Sequence, residues 1–129
     1  MNKKTKLTLD ELIRRKVQIQ EAKKQRKTQE LYIDSLGGTI TITEPTKEIL
    51  TDISNMGNDT YNVNKYAVYN CVTEPNLKSQ ELQEAYECAE PYDIVDKLFS
   101  YGEVTQIGSR LTELAGLTSG VSIAEDLKN

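Results

Sequence analysis

Histidine is absent from this chain, and cysteine occurs only twice, at Cys71 and Cys88, with no CxxC pair. The missing histidine removes the usual general base for a serine nucleophile, and no GxSxG stretch suggests such a nucleophile. Both shortages together exclude the common Cys/His zinc sites and a dithiol redox motif. The two cysteines read as buried, reduced thiols, because unpaired cysteine packs as a small core residue and disulfides are rare in the cytoplasm. No apolar run approaches the ~20 residues that span a bilayer. The N-terminal MNKKTKLTLDEL has basic residues with no apolar segment after them, so the expected location is the cytoplasm of the producing cell. Proline is scarce too, and Pro45, Pro75 and Pro91 act as punctuation between short elements.

What the chain does have is charge, unevenly placed. Its 129 residues suit one domain and carry a net charge of −4. Residues 1–27 hold ten Lys/Arg and three acids, a net +7, whereas the other 102 residues hold six bases and 17 acids, a net −11. A basic arm on an acidic body calls for an external anionic partner or for contact with an acidic face of the protein itself.

Over residues 8–27 the pattern predicts a helix. Thr8 and Glu11 have capping-box spacing, and Leu9, Leu12, Ile13, Lys16 and Val17 share a face. After Ile19 the residues are polar, so the second half has nothing to hold it against a core. From Leu31 to Thr43 the period changes to two, with Leu31, Ile33, Ile40 and Ile42 on one face around Gly37-Gly38. That pattern predicts a β-hairpin with a primed turn, packed on helices because a lone hairpin is marginal. A helix over 46–56 follows Pro45, then a polar loop over Gly57–Asn64. A short helix with Tyr66, Ala67, Tyr69, Asn70 and Val72 ends before Pro75. Ser79 caps the next, which carries Leu82, Ala85, Tyr86 and Ala89. Pro91 opens a helix with Ile94, Val95, Leu98 and Phe99 that stops at Gly102. The last helix buries Val104, Ile107, Leu111 and Leu114 and stops at Gly116. The expected fold is α+β and mostly α: a basic helical arm (1–27), a globular domain (28–117) built from one hairpin at about 28–43 on four to five short helices, and a mobile C-terminal tail (118–129).

Several stretches invite a chemical reading and do not sustain it. Gly37-Gly38 lacks the lysine and helix start of a phosphate loop. Asp52 and Asp59 do not match a calcium loop. Glu84, Glu87 and Glu90 have the i, i+3 spacing of carboxylate metal sites, but those sites draw on several helices and usually a Glu-x-x-His pair. These acids read instead as part of a solvated acidic helix face, together with Glu81, Asp93 and Asp96. No catalytic residue, metal ligand or cofactor site is expected, and the chain is not expected to be an enzyme. The remaining class is binding. A nucleic-acid module would use the arm, but no aromatic residue interleaves the basic ones to stack on bases and the body is acidic.

Four pieces resemble a known family when taken in order. They are Ile33 with Leu36-Gly37-Gly38 and Ile40; Cys71-Val72-x-x-Pro75-x-Leu77; Leu82-x-Glu84-Ala85-Tyr86; and Pro91-x-Asp93-Ile94-Val95-x-Lys97-Leu98-Phe99 with Gly102-Glu103. The sequence resembles the XkdN-like tail assembly chaperones of contractile-tailed phages and defective prophages of Gram-positive bacteria, over about residues 27–117. The first 26 residues and the last twelve fall outside that likeness. The resemblance implies a non-catalytic protein of the host cytoplasm, absent from the mature virion. It would bind the long helical tape measure protein and keep it soluble while the tail tube forms. The tail tube protein and a second copy of the chain are further candidate partners. The candidate partner-binding residues are the bases Arg14, Arg15, Lys16, Lys23, Lys24, Arg26 and Lys27 and the acids Glu84, Glu87 and Glu90.

Overall fold

A computed structural model describes residues 5–124, so Lys3, Lys4 and the end of the expected tail lie outside the described residues. The described residues fall into two units, Lys27–Thr118 and the remainder. Among them are seven α-helices and a three-stranded antiparallel sheet, an α+β fold that is mostly α.

In the larger unit, β1 (Thr28–Ile33) and β2 (Gly38–Thr43) form the expected hairpin, with Leu31 opposite Ile40 and Ile33 opposite Gly38. Ile33, Ile40 and Ile42 are buried. The connection is not a two-residue primed turn. A 3-10 turn over Asp34–Leu36 is closed by Gly37, whose φ of 65° is the left-handed conformation glycine adopts without strain, and Gly38 already belongs to the strand. A third strand, β3 (Val72–Glu74), pairs with β2 across a register shift at Thr41/Ile42. The Thr43 and Thr73 hydroxyls meet at 2.9 Å. Val72 therefore sits at the junction: its N–H still donates to the Val68 carbonyl as the cap of the preceding helix, while it pairs with Ile42 of β2 and its side chain is buried.

The helices close over one face of this sheet. After Pro45, α3 (Lys47–Ser54) is capped by Thr46, whose hydroxyl accepts from the Ile49 N–H. Next, α4 (Thr60–Cys71) begins inside the stretch expected to be loop. Asp59 accepts from the Asn62 N–H at 3.1 Å and so satisfies an orphan donor of a first turn that is otherwise poor in helix formers. The short α5 (Gln80–Ala85) is capped by Ser79 as expected, but Ala85, Tyr86 and Ala89 are exposed and only Leu82 packs against the core. α6 (Asp93–Leu98) and α7 (Tyr101–Leu114) are separated by extended backbone at Phe99, not by Gly102. Ser100 sets that boundary through a reciprocal capping box: its hydroxyl accepts from the Glu103 N–H at 3.2 Å, and the Glu103 carboxylate accepts from the Ser100 N–H at 2.8 Å. Gly102 lies within the first turn of α7.

The core is built from Ile42, Val68, Cys71, Leu77, Ile94, Val95, Val104 and Leu111, all essentially fully buried. α4 lies against α7 through Ala67, Val68 and Cys71 on one side and Val104, Ile107, Gly108 and Leu111 on the other. Gly108 allows the close approach, because a Cβ there would fall 2.3 Å from Asn64 Oδ1. Cys71 and Cys88 form no disulfide, and Cys88 is only half-buried.

In the smaller unit the expected single helix is two, α1 (Leu9–Arg14) and α2 (Lys16–Lys24), broken at Arg15. Thr8 accepts from the Glu11 N–H, and its hydroxyl donates to the Glu11 carboxylate. No residue of α1 or α2 is buried, and Leu9, Leu12, Ile13 and Val17 are exposed. Gln25 is extended and ends α2 short of residue 27.

Candidate functional site

One surface is organised by tyrosine. The outer face of α4 presents Tyr61, Lys65 and Tyr69 four residues apart, one above the other, with Asn62 and Tyr66 beside them. Tyr61 stacks on Tyr101 with ring centroids 4.6 Å apart and planes 11° from parallel. Tyr92, at the start of α6, meets Tyr69 edge-on at 4.5 Å and lies 6.2 Å from Tyr66. Lys78 Nζ sits 5.5 Å above the Tyr69 ring and donates to Asn70. Such pairs hold the rings in fixed poses, so little side-chain entropy remains to be lost when a partner covers them.

The polar tips are anchored as well. Asp96 accepts from the Tyr61 hydroxyl and from Lys65 Nζ, the latter at 2.6 Å, and Asp52 accepts from the Tyr66 hydroxyl. Donation to the Asp52 carboxylate, with burial second, pushes the Tyr66 phenol up to about 12. Burial, with donation to Asp96 second, raises Tyr61 to about 12 as well. Burial acts to raise Asp96, but the bonds from Lys65 and Tyr61 outweigh it and hold its carboxyl below the ordinary value. At neutral pH Tyr61 and Tyr66 are therefore neutral phenols and Asp96 an ionised carboxylate, each already partnered. Between α3, α4 and the start of α6 this wall bounds a groove of about 460 Å³, lined by Asp52, Met56, Asn62, Lys65, Tyr66 and Tyr92. Met56 and Tyr92 are 37% and 43% exposed, enough to offer apolar surface at the mouth.

The residues proposed from sequence are distributed otherwise. Arg14 lies in α1, Arg15 at the break, and Lys16, Lys23 and Lys24 in α2, with Arg26 and Lys27 following. Lys24 pairs with Glu21 at 3.7 Å, where both side chains are exposed and the pair contributes little. The acidic trio does not share a helical face. Glu84 is in α5 and accepts from Gln80, Glu87 lies past the helix end with φ 54°, and Glu90 is in the bend before α6. The reason is that α5 stops at Ala85, so i, i+3 spacing has no helix to act through. Among the described residues no group of His, Cys, Asp and Glu is arranged to hold a metal ion, and no helix is long and apolar enough to cross a membrane. The tyrosines are the part sequence reasoning missed. Tyr61 falls in the stretch read as loop, while Tyr66 and Tyr69 read as core. The available signal is seven tyrosines against one phenylalanine, a bias toward rings that keep a wet edge.

The unit is thus a small α+β fold with tyrosine rings paired across one surface. Over residues 5–128 the sequence matches the model of the phage XkdN-like tail assembly chaperones, and the chain belongs to that family. The match extends over the basic arm and nearly all of the C-terminal segment, so the likeness is not confined to residues 27–117. Comparison with curated proteins and with solved structures returns no match.

Proposed function

We propose that this phage tail assembly chaperone binds the tape measure protein and keeps it soluble in the host cytoplasm while the tail tube assembles, without catalysis and without entering the finished virion. The observation that supports this most is the Met56–Tyr66–Tyr92 groove. A tape measure protein is a long amphipathic helix, and a helix is recognised by a groove that takes its apolar side chains at i and i+4. Tyrosine and methionine suit that task, because tyrosine dominates binding hot spots and methionine adapts its shape to different side chains. A chaperone that meets many segments of one long helix needs such tolerance more than it needs a unique fit.

The experiment is a binding titration of a purified, tagged tape measure segment against the wild-type chain and against Tyr92→Ala and Met56→Ala. Truncating a hot-spot tyrosine costs about 2 kcal/mol, roughly thirtyfold in affinity. The expected result is a loss of that order for Tyr92→Ala with the far-UV circular dichroism unchanged. Unaltered binding by both variants would remove the groove from the account.

A further inference from the structure

A second groove lies beside β1. Among the described residues β1 pairs with β2 on one side only and is an edge strand, so its outer backbone groups are open to pairing. Beside it runs α7, and the two enclose about 360 Å³. Leu31 and Tyr32 line it from opposite faces of β1, and the acids Glu30, Asp34 and Glu103 stand around it. Glu103 is fixed there by Ser100 and by the Ser35 hydroxyl at 2.7 Å. The one base on the lining, Arg110, has Glu113 at 3.7 Å. Tyr32 is 64% exposed, a large ring left uncovered beside an open strand edge.

The chain also carries the complement of this surface. α1 and α2 bury none of their residues, although Leu9, Leu12, Ile13 and Val17 form an apolar stripe flanked by Arg14, Arg15 and Lys16. An amphipathic helix with nothing against its apolar side is an incomplete interface. The stretch from Leu9 to Val17 crosses the break at Arg15, and at helical rise it is about 12 Å long, shorter than the roughly 20 Å of a six-residue strand. Lys27 is tied to the base of the hairpin, its N–H donating to the Glu44 carboxylate and its carbonyl accepting from the Glu44 N–H.

We propose that the basic arm of one copy docks along the β1 edge of a second copy, with the Leu9–Val17 stripe on Tyr32 and with Arg14 and Lys16 facing Glu30, on the same face of the strand as Tyr32, and Asp34 just beyond its end. The arm then covers the open strand edge of its neighbour, and the chaperone self-associates through opposite charge. This does not depend on the tape measure reading, since it concerns a different surface and needs no other protein.

The test uses the full chain. Equal amounts of ¹⁴N- and ¹⁵N-labelled protein are mixed and treated with a zero-length carbodiimide cross-linker, and the mass in solution is measured by light scattering at low and high salt. The expected results are masses above the monomer that fall with added salt, and cross-links joining a light arm to a heavy groove. Arg14→Glu/Lys16→Glu and Glu30→Lys/Asp34→Lys should each weaken association at least tenfold, and the two pairs combined should restore it. Both groove positions are exposed, so thermal melts of the variants should match the wild type and separate lost docking from lost folding. A monomer at every concentration would overturn the proposal. So would cross-links confined within one isotope, which place the arm on its own body, or association that neither charge reversal changes.

Discussion

Replacing Gly108 with alanine sets two known effects against each other. Glycine inside a helix costs about 0.5–1 kcal/mol relative to alanine, so the substitution alone should stabilise α7 by that much. The structure opposes it: the added Cβ would lie 2.3 Å from Asn64 Oδ1 and 2.7 Å from Cγ, well inside contact distance. Forcing a methyl into a packed interface costs about 1–3 kcal/mol. The net expectation for Gly108→Ala is a loss of about 1 kcal/mol, or roughly 4–8 °C in Tm for a unit of this size. The clash is with the outer atoms of one side chain, and Asn64 Cβ itself is 3.3 Å away, a contact that small adjustments relieve. In an Asn64→Ala background the same substitution should therefore be stabilising by about 0.5–1 kcal/mol. The coupling between the two sites would be about 1.5–2 kcal/mol, within the range of directly contacting residues. Urea melts of the four proteins, followed by circular dichroism, measure all the terms. If Gly108→Ala raises the midpoint in the native background, or shifts it equally in both, then Asn64 swings aside at no cost. The approach of α4 to α7 is then not what requires glycine.

Ser100→Ala removes one half of the capping box and should lower stability by about 1 kcal/mol, seen as a fall in the urea midpoint at unchanged slope. Asp96 and Glu103 are both held below their ordinary values. Their contribution is present above the unfolded values, about 3.9 and 4.3, and is lost as pH falls through the lower folded values. Glu103→Gln and Asp96→Asn should each make the acid-side decline of stability shallower. Tyr61 and Tyr66 are raised to about 12, so their contribution is present below pH 10 and lost as pH rises through 12. Phenolate absorbance should show two late-titrating tyrosines in the folded protein and none in urea.

Much of the architecture could be read where one local signal acts alone. The hairpin follows from strict alternation around Ile33 and Ile40, and the α7 core positions follow from helical spacing. Ser79 caps α5 where the sequence places it. The misplaced boundaries are those decided by partners distant in sequence or by a cap stronger than the visible breaker. Val72–Glu74 is too short to carry a period of its own and becomes strand only because β2 offers bonds to it. Gly102 suggests a stop, but the Ser100–Glu103 capping box starts the helix one residue earlier, at Tyr101, and a glycine in a first turn gives up no interior packing. The candidate site was less legible for a related reason. Charge stands out in a sequence, so the arm and the acids are what the sequence points to first. A tyrosine at helical spacing looks the same whether its ring enters the core or stacks on a neighbour at the surface, and only the packing of α4, α6 and α7 separates the two.

The most direct measurement is the solubility of the tape measure protein expressed alone, with this chain, and with its Tyr66→Ala/Tyr92→Ala variant. The account predicts that the wild-type chain moves the tape measure protein into the soluble fraction and co-purifies with it, and that the variant does neither. A tape measure protein equally soluble without this chain would contradict it.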